Sequence, residues 1–358
     1  QHAEATRAIR MAMKLDPART DYKCTLHLDM RKLCDWSDFG DYTRDLEHLW
    51  KHGTPKGMAE RSSAVPTRKP GEPKSRRREK EVTLCPSPLD ALSYDLSLEV
   101  YRNVAQGHGE EARYFALKHV PFATAAWPLS GGRRLRVGYL SIELRDRPVG
   151  KDMVHAFNAH HEYDVEVECF SLNPSPRQGV QGEETLWWHG QMLSACDAGF
   201  HDMSGVAFTD IARRINEARP HVLVNLDGWT SAPLINEIVI LTPAPVQLSF
   251  KGFPGTTGVA EHHGLVADRV VTPPEMVSGY VERLVLYAHM YRRTGDASGE
   301  YVRAAGWPSR SDLVQGKFMM PSNAGQRPVE ALAAAAADRV LLCNFNQFYK
   351  SVPEVWQV

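Results

Sequence analysis

Long apolar runs are missing from this sequence: none approaches the roughly 20 residues that a membrane-spanning helix needs. A charge imbalance is missing too, because 42 basic and 43 acidic side chains nearly cancel. That removes the general attraction that draws a chain to nucleic acid or to an anionic membrane. Cysteine is sparse, with six residues (Cys24, Cys34, Cys85, Cys169, Cys196 and Cys343), no CxxC pair and no closely spaced histidine. No zinc site, and no metal of any kind, is expected from such spacing. Five of the six sit in apolar or strand-like surroundings, which reads as buried thiols in a reducing compartment. The histidine pairs His160-His161 and His262-His263 would point to opposite sides of a strand and make poor chelators. The opening QHAEATRAIRMAMKLDPA has neither a first methionine nor the apolar centre of a signal peptide. A soluble piece of a longer protein is the expectation. No GxGxxG follows the first strand-like run, so a dinucleotide fold of the dehydrogenase kind loses its main support.

What is present is organised around the stretch HVLVNLDGWTSAPLINEIVILTPAPVQLSFKGFPGTTG, residues 221–258. Two apolar runs, His221 to Leu226 and Pro245 to Phe250, are short enough to be strands buried on both faces. Each enters a small-residue loop. The first is Asp227-Gly228-Trp229-Thr230; the second, Gly252 to Gly258, carries three glycines that let backbone approach a ligand closely. In an open parallel sheet ligands lie off the carboxyl ends of the strands, which makes these loops the first candidate site. Gly252, Pro254, Gly255, Thr256 and Thr257 are the candidate contacts of the second loop, and Asn225 and Thr230 the polar candidates of the first.

Earlier in the chain, Ala3 to Leu15 has helical spacing and stops at Pro17, and Cys24 to Trp50 reads as two further helices. Between Lys56 and Lys80 prolines and basic residues replace nearly everything apolar, around Lys74-Ser75-Arg76-Arg77-Arg78. Such a segment cannot bury enough surface to order itself; it fits a nuclear-import signal or, equally, a solvated insertion. Leu89 to Gly109 reads as a loop and then a helix ending at glycine. Leu135 to Ser141 reads as a first buried strand followed by a helix from about Lys151, and Asp164 to Leu172, Asp210 to Arg219 and Gly264 to Val271 as strand, helix and strand. The alternation is that of a doubly wound α/β sheet. Asp268 reads as a cap of the turn before Pro273-Pro274. The alanine run Ala333 to Ala337 favours helix.

The blocks LRVGYLS, LVNLDGWT, PAPVQLSFKGFPGTTG and CNFNQFYK, in that order, resemble the catalytic region of the O-linked N-acetylglucosamine transferases of nuclear and cytosolic proteins, most closely the plant SECRET AGENT kind. The resemblance implies a two-lobe GT-B glycosyltransferase with a Rossmann-like first lobe, preceded by helices resembling the end of a tetratricopeptide array. Residues 1–55 would be that helical end and linker, 56–82 the basic insertion, 83–290 the first lobe, 291–338 a connection and 339–358 the start of a second lobe. It also implies transfer of N-acetylglucosamine from its uridine diphosphate carrier (UDP-GlcNAc) to Ser or Thr of cytoplasmic and nuclear proteins, without cofactor or metal. Lys350 matches the lysine that holds the donor diphosphate, with Tyr349 beside it, while Leu92 and Val149 join the sugar or acceptor pocket. Two positions depart from the family: Asp90 and Arg147 stand where it has histidines. An arginine stays protonated and cannot take a proton from a hydroxyl, so Glu143, Asp90 and the phosphate of the donor itself become the candidate bases. Two alternatives remain, a non-catalytic protein-binding remnant of a transferase lobe and a SPINDLY-like protein O-fucosyltransferase.

Overall fold

The computed structural model describes residues 2–15, 20–33, 35–52, 84–122, 127, 134–176, 182–230 and 233–287. The basic insertion, the alanine run, the proposed connection and Tyr349 and Lys350 lie outside the described residues.

Three helices come first: α1 (His2–Leu15), α2 (Thr20–Lys32) and α3 (Phe39–His52). In α3, Tyr42, Leu46 and Trp50 recur every fourth residue and so form one buried stripe. That stripe packs on α4 (Pro88–Ala91) and α5 (Leu98–Ala116), where Ala91, Val100 and Val104 complete the cluster. Ser87 and Ser97 cap α4 and α5 by accepting from Asp90 N and Val100 N.

The expected glycine stop of the second of these helices does not occur: α5 runs past Gly107 and Gly109 to Ala116. Both glycines serve packing instead. A Cβ on Gly107 would lie 2.8 Å from the Trp50 ring, and one on Gly109 only 2.4 Å from Gly258 O. Without side chains, α5 can lie directly against α3 on one side and the Gly258 backbone on the other.

Seven strands then form one sheet: β1 (Leu135–Ser141), β2 (Val165–Ser171), β3 (Gly199–Asp202), β4 (Val222–Asn225), β5 (Val246–Phe250), β6 (Gly264–Ala267) and β7 (Arg283–Leu286). Every pairing is parallel, and the order is β3-β2-β1-β4-β5-β6-β7. Helices α6 (Pro148–His160) and α7 (Glu183–Ala195) cover one face; α5, α8 (Phe208–Ala218) and α9 (Leu234–Ile240) cover the other. The strand period of two assigns side chains to these faces. Val137 and Tyr139 of β1 join the α6–α7 core, and Leu140 joins the α8–α9 core with Phe170 and Leu223.

The expected doubly wound sheet is therefore present, with strand ends within a few residues of the sequence reading. The sequence did not separate α7, β3, α9 and β7. β3 is an edge strand of four residues, only half-buried and without an apolar run, so periodicity has nothing to register.

The cysteines depart from the free-thiol expectation. Cys169 of β2 is disulfide-bonded to Cys196 at the end of α7, with Cα atoms 5.9 Å apart, and Cys24 and Cys85 are neighbours with Cα atoms 6.2 Å apart. Each pair is remote in sequence and brought together by packing, which no spacing rule could show. The paired histidines also differ: His160 ends α6, its Nε2 2.7 Å from Tyr139 OH, and His262-His263 lie in the turn before β6. Asp268 caps its turn as expected, accepting from Val270 N and Val271 N, both at 2.7 Å.

Candidate functional site

In a doubly wound sheet the ligand crevice opens off the carboxyl ends of the strands, where the strand order reverses. Here that point lies between β1 and β4, whose chains leave for opposite faces. The loops after β1, β4 and β5 meet at this edge.

Asp227 binds the first two together. Its buried carboxylate accepts from Ser141 Oγ at 2.6 Å and Ile142 N at 2.7 Å, and Ser141 Oγ in turn accepts from Glu143 N at 2.8 Å. The opening turn of the β1 loop is thus moulded on a side chain from the loop after β4. Asn225 shapes the β4 loop itself, its Oδ1 accepting from Asp227 N and Gly228 N at 2.9 and 3.0 Å. The β5 loop crosses close above, with Gly252 N donating to Leu226 O at 2.8 Å. A Cβ on Gly252 would lie 2.4 Å from that same oxygen.

Beyond the crossing, Thr256 and Thr257 turn inward. Thr256 Oγ1 donates to Glu282 Oε2 at 2.7 Å, Thr257 N to Glu282 Oε1 at 2.6 Å, and the Thr257 hydroxyl also donates to Oε1. Tyr280 OH donates to Pro254 O at 3.0 Å and Trp229 Nε1 to Thr257 O at 2.7 Å. These bonds leave the Pro254–Thr256 backbone as one wall of a cleft of about 290 Å³. Leu92, Leu98, Tyr101, Met276 and Tyr280 are among the residues of its largely apolar lining.

Burial governs the local charge states. His262 is pushed down to about 3 by burial, with a smaller contribution from His263, and so stays neutral. Desolvation likewise lowers His108 to about 4, against smaller opposing effects of its hydrogen bond to Pro86 O and of Asp90. Asp146, after β1, is held below the usual carboxylate range chiefly by its hydrogen bond with Lys151, 2.7 Å away. A half-buried pair spans the same edge: Lys251 Nζ lies 3.2 Å from Asp152 Oδ2, tying the β5 loop to α6.

The candidate residues fall into groups. Leu92, Pro254, Gly255 and Thr256 come together around the cleft. Gly252 is at the loop crossing. Asn225 and Thr257 are buried and bonded inward, while exposed Thr230 has its hydroxyl on Asp227 O at 2.7 Å. Asp90 sits in the first turn of α4, its carboxylate accepting from Ser87 Oγ at 2.7 Å while its amide donates back, a capping arrangement. Glu143 makes no side-chain hydrogen bond or ion pair among the described residues. Arg147 is the exposed N-cap of α6 with no side-chain cap bond, and Val149 is half-buried against the α6–α7 core. Sequence reasoning missed Asp227 as an anchor, as well as Glu282, His262 and the Lys251–Asp152 pair. Asp227 and Lys251 stand within blocks already singled out, but the partners of all of them are supplied by the fold. Among the described residues no three His, Cys, Asp or Glu side chains gather as a metal site.

Residues 78–299 match the family described as Glycosyl transferase family 41. The chain is 31% identical over 291 residues to an Arabidopsis thaliana protein named probable UDP-N-acetylglucosamine–peptide N-acetylglucosaminyltransferase SEC, covering 78% of this chain and 26% of that protein. A Caenorhabditis elegans UDP-N-acetylglucosamine–peptide N-acetylglucosaminyltransferase is 28% identical over 164 residues, 46% of this chain and 13% of its own length. A solved structure of a Thermobaculum terrenum O-GlcNAc transferase mutant shares the fold, with a TM-score of 0.54 and 22% identity over 81% of this chain and 48% of that one. The chain spans about a quarter of the SEC protein.

Proposed function

Because the chain belongs to glycosyl transferase family 41, we propose that it supplies the first lobe of a protein O-GlcNAc transferase, moving N-acetylglucosamine from UDP-GlcNAc to Ser or Thr hydroxyls of proteins. The observation that carries this reading is the meeting of Leu92 with the Pro254–Thr256 loop around one cleft, beside the carboxyl edge of a doubly wound sheet. Residues 83–290 would form that lobe, after a helical end of a repeat array (1–55) and the insertion 56–82. Residues 291–338 would connect it to a second lobe beginning at 339.

Transfer requires an acceptor for the hydroxyl proton and positive charge for the departing diphosphate. Asp90 already accepts from the Ser87 hydroxyl, so the proton is assigned to Glu143. Arg147 takes no proton and is assigned none. Lys350 would neutralise the leaving diphosphate with Tyr349 beside it, and the apolar wall of the cleft would face the sugar.

The test is transfer from labelled UDP-GlcNAc to a serine peptide by the complete protein. Glu143→Gln is expected to lower kcat at least a hundredfold, in the range of lost general-base catalysis, and Asp90→Asn by less than about tenfold. Normal turnover in both would remove both carboxylates from the mechanism. Competition by a fucose donor but not by UDP-GlcNAc would point to the fucosyl branch. Cytoplasmic and nuclear residence belongs to the same proposal and is read by imaging the tagged chain.

A further inference from the structure

The polar groups behind the cleft wall form a single line of hydrogen bonds that donor binding alone does not require. It begins at Glu282, buried, with a carboxylate that accepts from Thr256 and twice from Thr257. It continues from Thr257 Oγ1 to His262 Nδ1 at 3.0 Å, and from His262 Nε2 to Asn225 Nδ2 at 3.2 Å. Asn225 passes it to Asn236 Oδ1 at 3.3 Å and, through Oδ1, to the amides of Asp227 and Gly228.

Proton counting gives the line a direction. An ionised carboxylate only accepts, so the one hydroxyl proton of Thr257 goes to Glu282. Thr256 Oγ1 accepts from Val281 N at 3.2 Å, which leaves its own proton for Glu282 as well. The Thr257–His262 contact then needs a hydrogen from Nδ1. A neutral imidazole has only that one N–H, so Nε2 is bare and accepts from Asn225. Each Asn225 Nδ2 hydrogen has one taker, His262 or Asn236. The tautomer assigned in this way is compatible with only one arrangement of the whole line.

We propose that Glu282, His262 and Asn225 are positioning residues, acting through Thr257 to lock the loop after β5 to the loop after β4, so that the cleft wall at Pro254–Thr256 is preformed before a ligand arrives. A fixed wall spares a ligand the cost of ordering it. The proposal about loop coupling stands on geometry; only its consequence for the sugar donor rests on the transferase reading.

The test uses the whole chain. Thr257→Val keeps the shape and the backbone bond but deletes the hydroxyl, whereas Thr257→Ser keeps the hydroxyl. Amide hydrogen exchange in Thr257→Val is expected to accelerate about tenfold or more in both 252–259 and 226–230, with Thr257→Ser within about twofold of the natural chain. Acceleration confined to 252–259, or equal acceleration in both variants, would overturn the coupling. Nitrogen NMR of the unaltered protein gives an answer free of any folding defect: His262 is expected as the Nδ1–H tautomer, and an Nε2–H tautomer would refute the line. In turnover, Thr257→Val is expected to raise KM for UDP-GlcNAc about tenfold while kcat moves less than threefold. If the natural protein transfers nothing, the transferase reading fails, while exchange and NMR still decide the coupling.

Discussion

Replacing Gly258 by alanine tests the seam on which the β5 loop rests. Gly258 has φ +68°, in the left-handed region, and an added Cβ would lie 2.2 Å from Ala105 C, 2.3 Å from Ala105 O and 2.4 Å from Gln106 N. All three are backbone atoms inside α5, so no side chain can swing aside. Left-handed backbone costs an L-residue about 1–2 kcal/mol, and forcing a methyl into a packed seam adds about 1–3 kcal/mol. The sum, about 2–5 kcal/mol, corresponds to a fall in Tm of about 4–20 °C for a domain of this size. Gly190→Ala is the matched control, because Gly190 lies within α7 with no heavy atom within 4 Å of its added Cβ. There the helix gains about 0.5–1 kcal/mol, and Tm rises by a few degrees. Calorimetry of the two variants should show opposite signs. A Gly258→Ala protein melting within about 1 °C of the natural chain would mean that α5 and the loop are not in contact.

Lys251→Met should cost about 0.5–3 kcal/mol in a denaturant melt because it removes the charge that Asp152 faces, and Lys251→Met with Asp152→Leu should cost less than the sum of the two single changes; simple additivity would refute a coupled pair. Acid should destabilise the fold through His108 and His262. Both pKa values are depressed in the folded state, so the unfolded chain binds more protons below about pH 6.5, and stability falls as pH drops towards about 4 for His108 and about 3 for His262. Each contributes a slope of up to about 1.4 kcal/mol per pH unit, and His108→Gln should flatten the curve measured between pH 7 and 4. Trp50→Ala should cost about 3–5 kcal/mol, since the ring is buried against α5 and Nε1 donates to Cys85 O at 3.1 Å; a smaller loss would show that α3 packs loosely.

The sequence alone was enough for five of the seven strands. Val137, Tyr139 and Leu140, or Leu223 and Val224, lie in short apolar runs separated by helical stretches, and burial on both faces of a parallel strand demands such runs. The carboxyl-edge loops were legible for the same reason, because Asp227-Gly228 and the glycines of 252–258 mark where strands stop. Four consecutive blocks were also enough to place the chain in its family.

Tertiary structure decided what each of those residues does. Asn225 and Thr257 look like ligands in a linear reading, yet both are spent inside the protein, because their partners His262 and Glu282 arrive from 37 and 25 positions away. Gly107 and Gly109 look like a helix end, yet they mark where Trp50 and Gly258 press on a continuing helix. Cys169 and Cys196 look like isolated thiols until β2 and α7 bring them together. Periodicity is a property of neighbours along the chain, and it survives in the sequence; hydrogen-bond partnership and close packing are properties of neighbours in space, and only folding creates them.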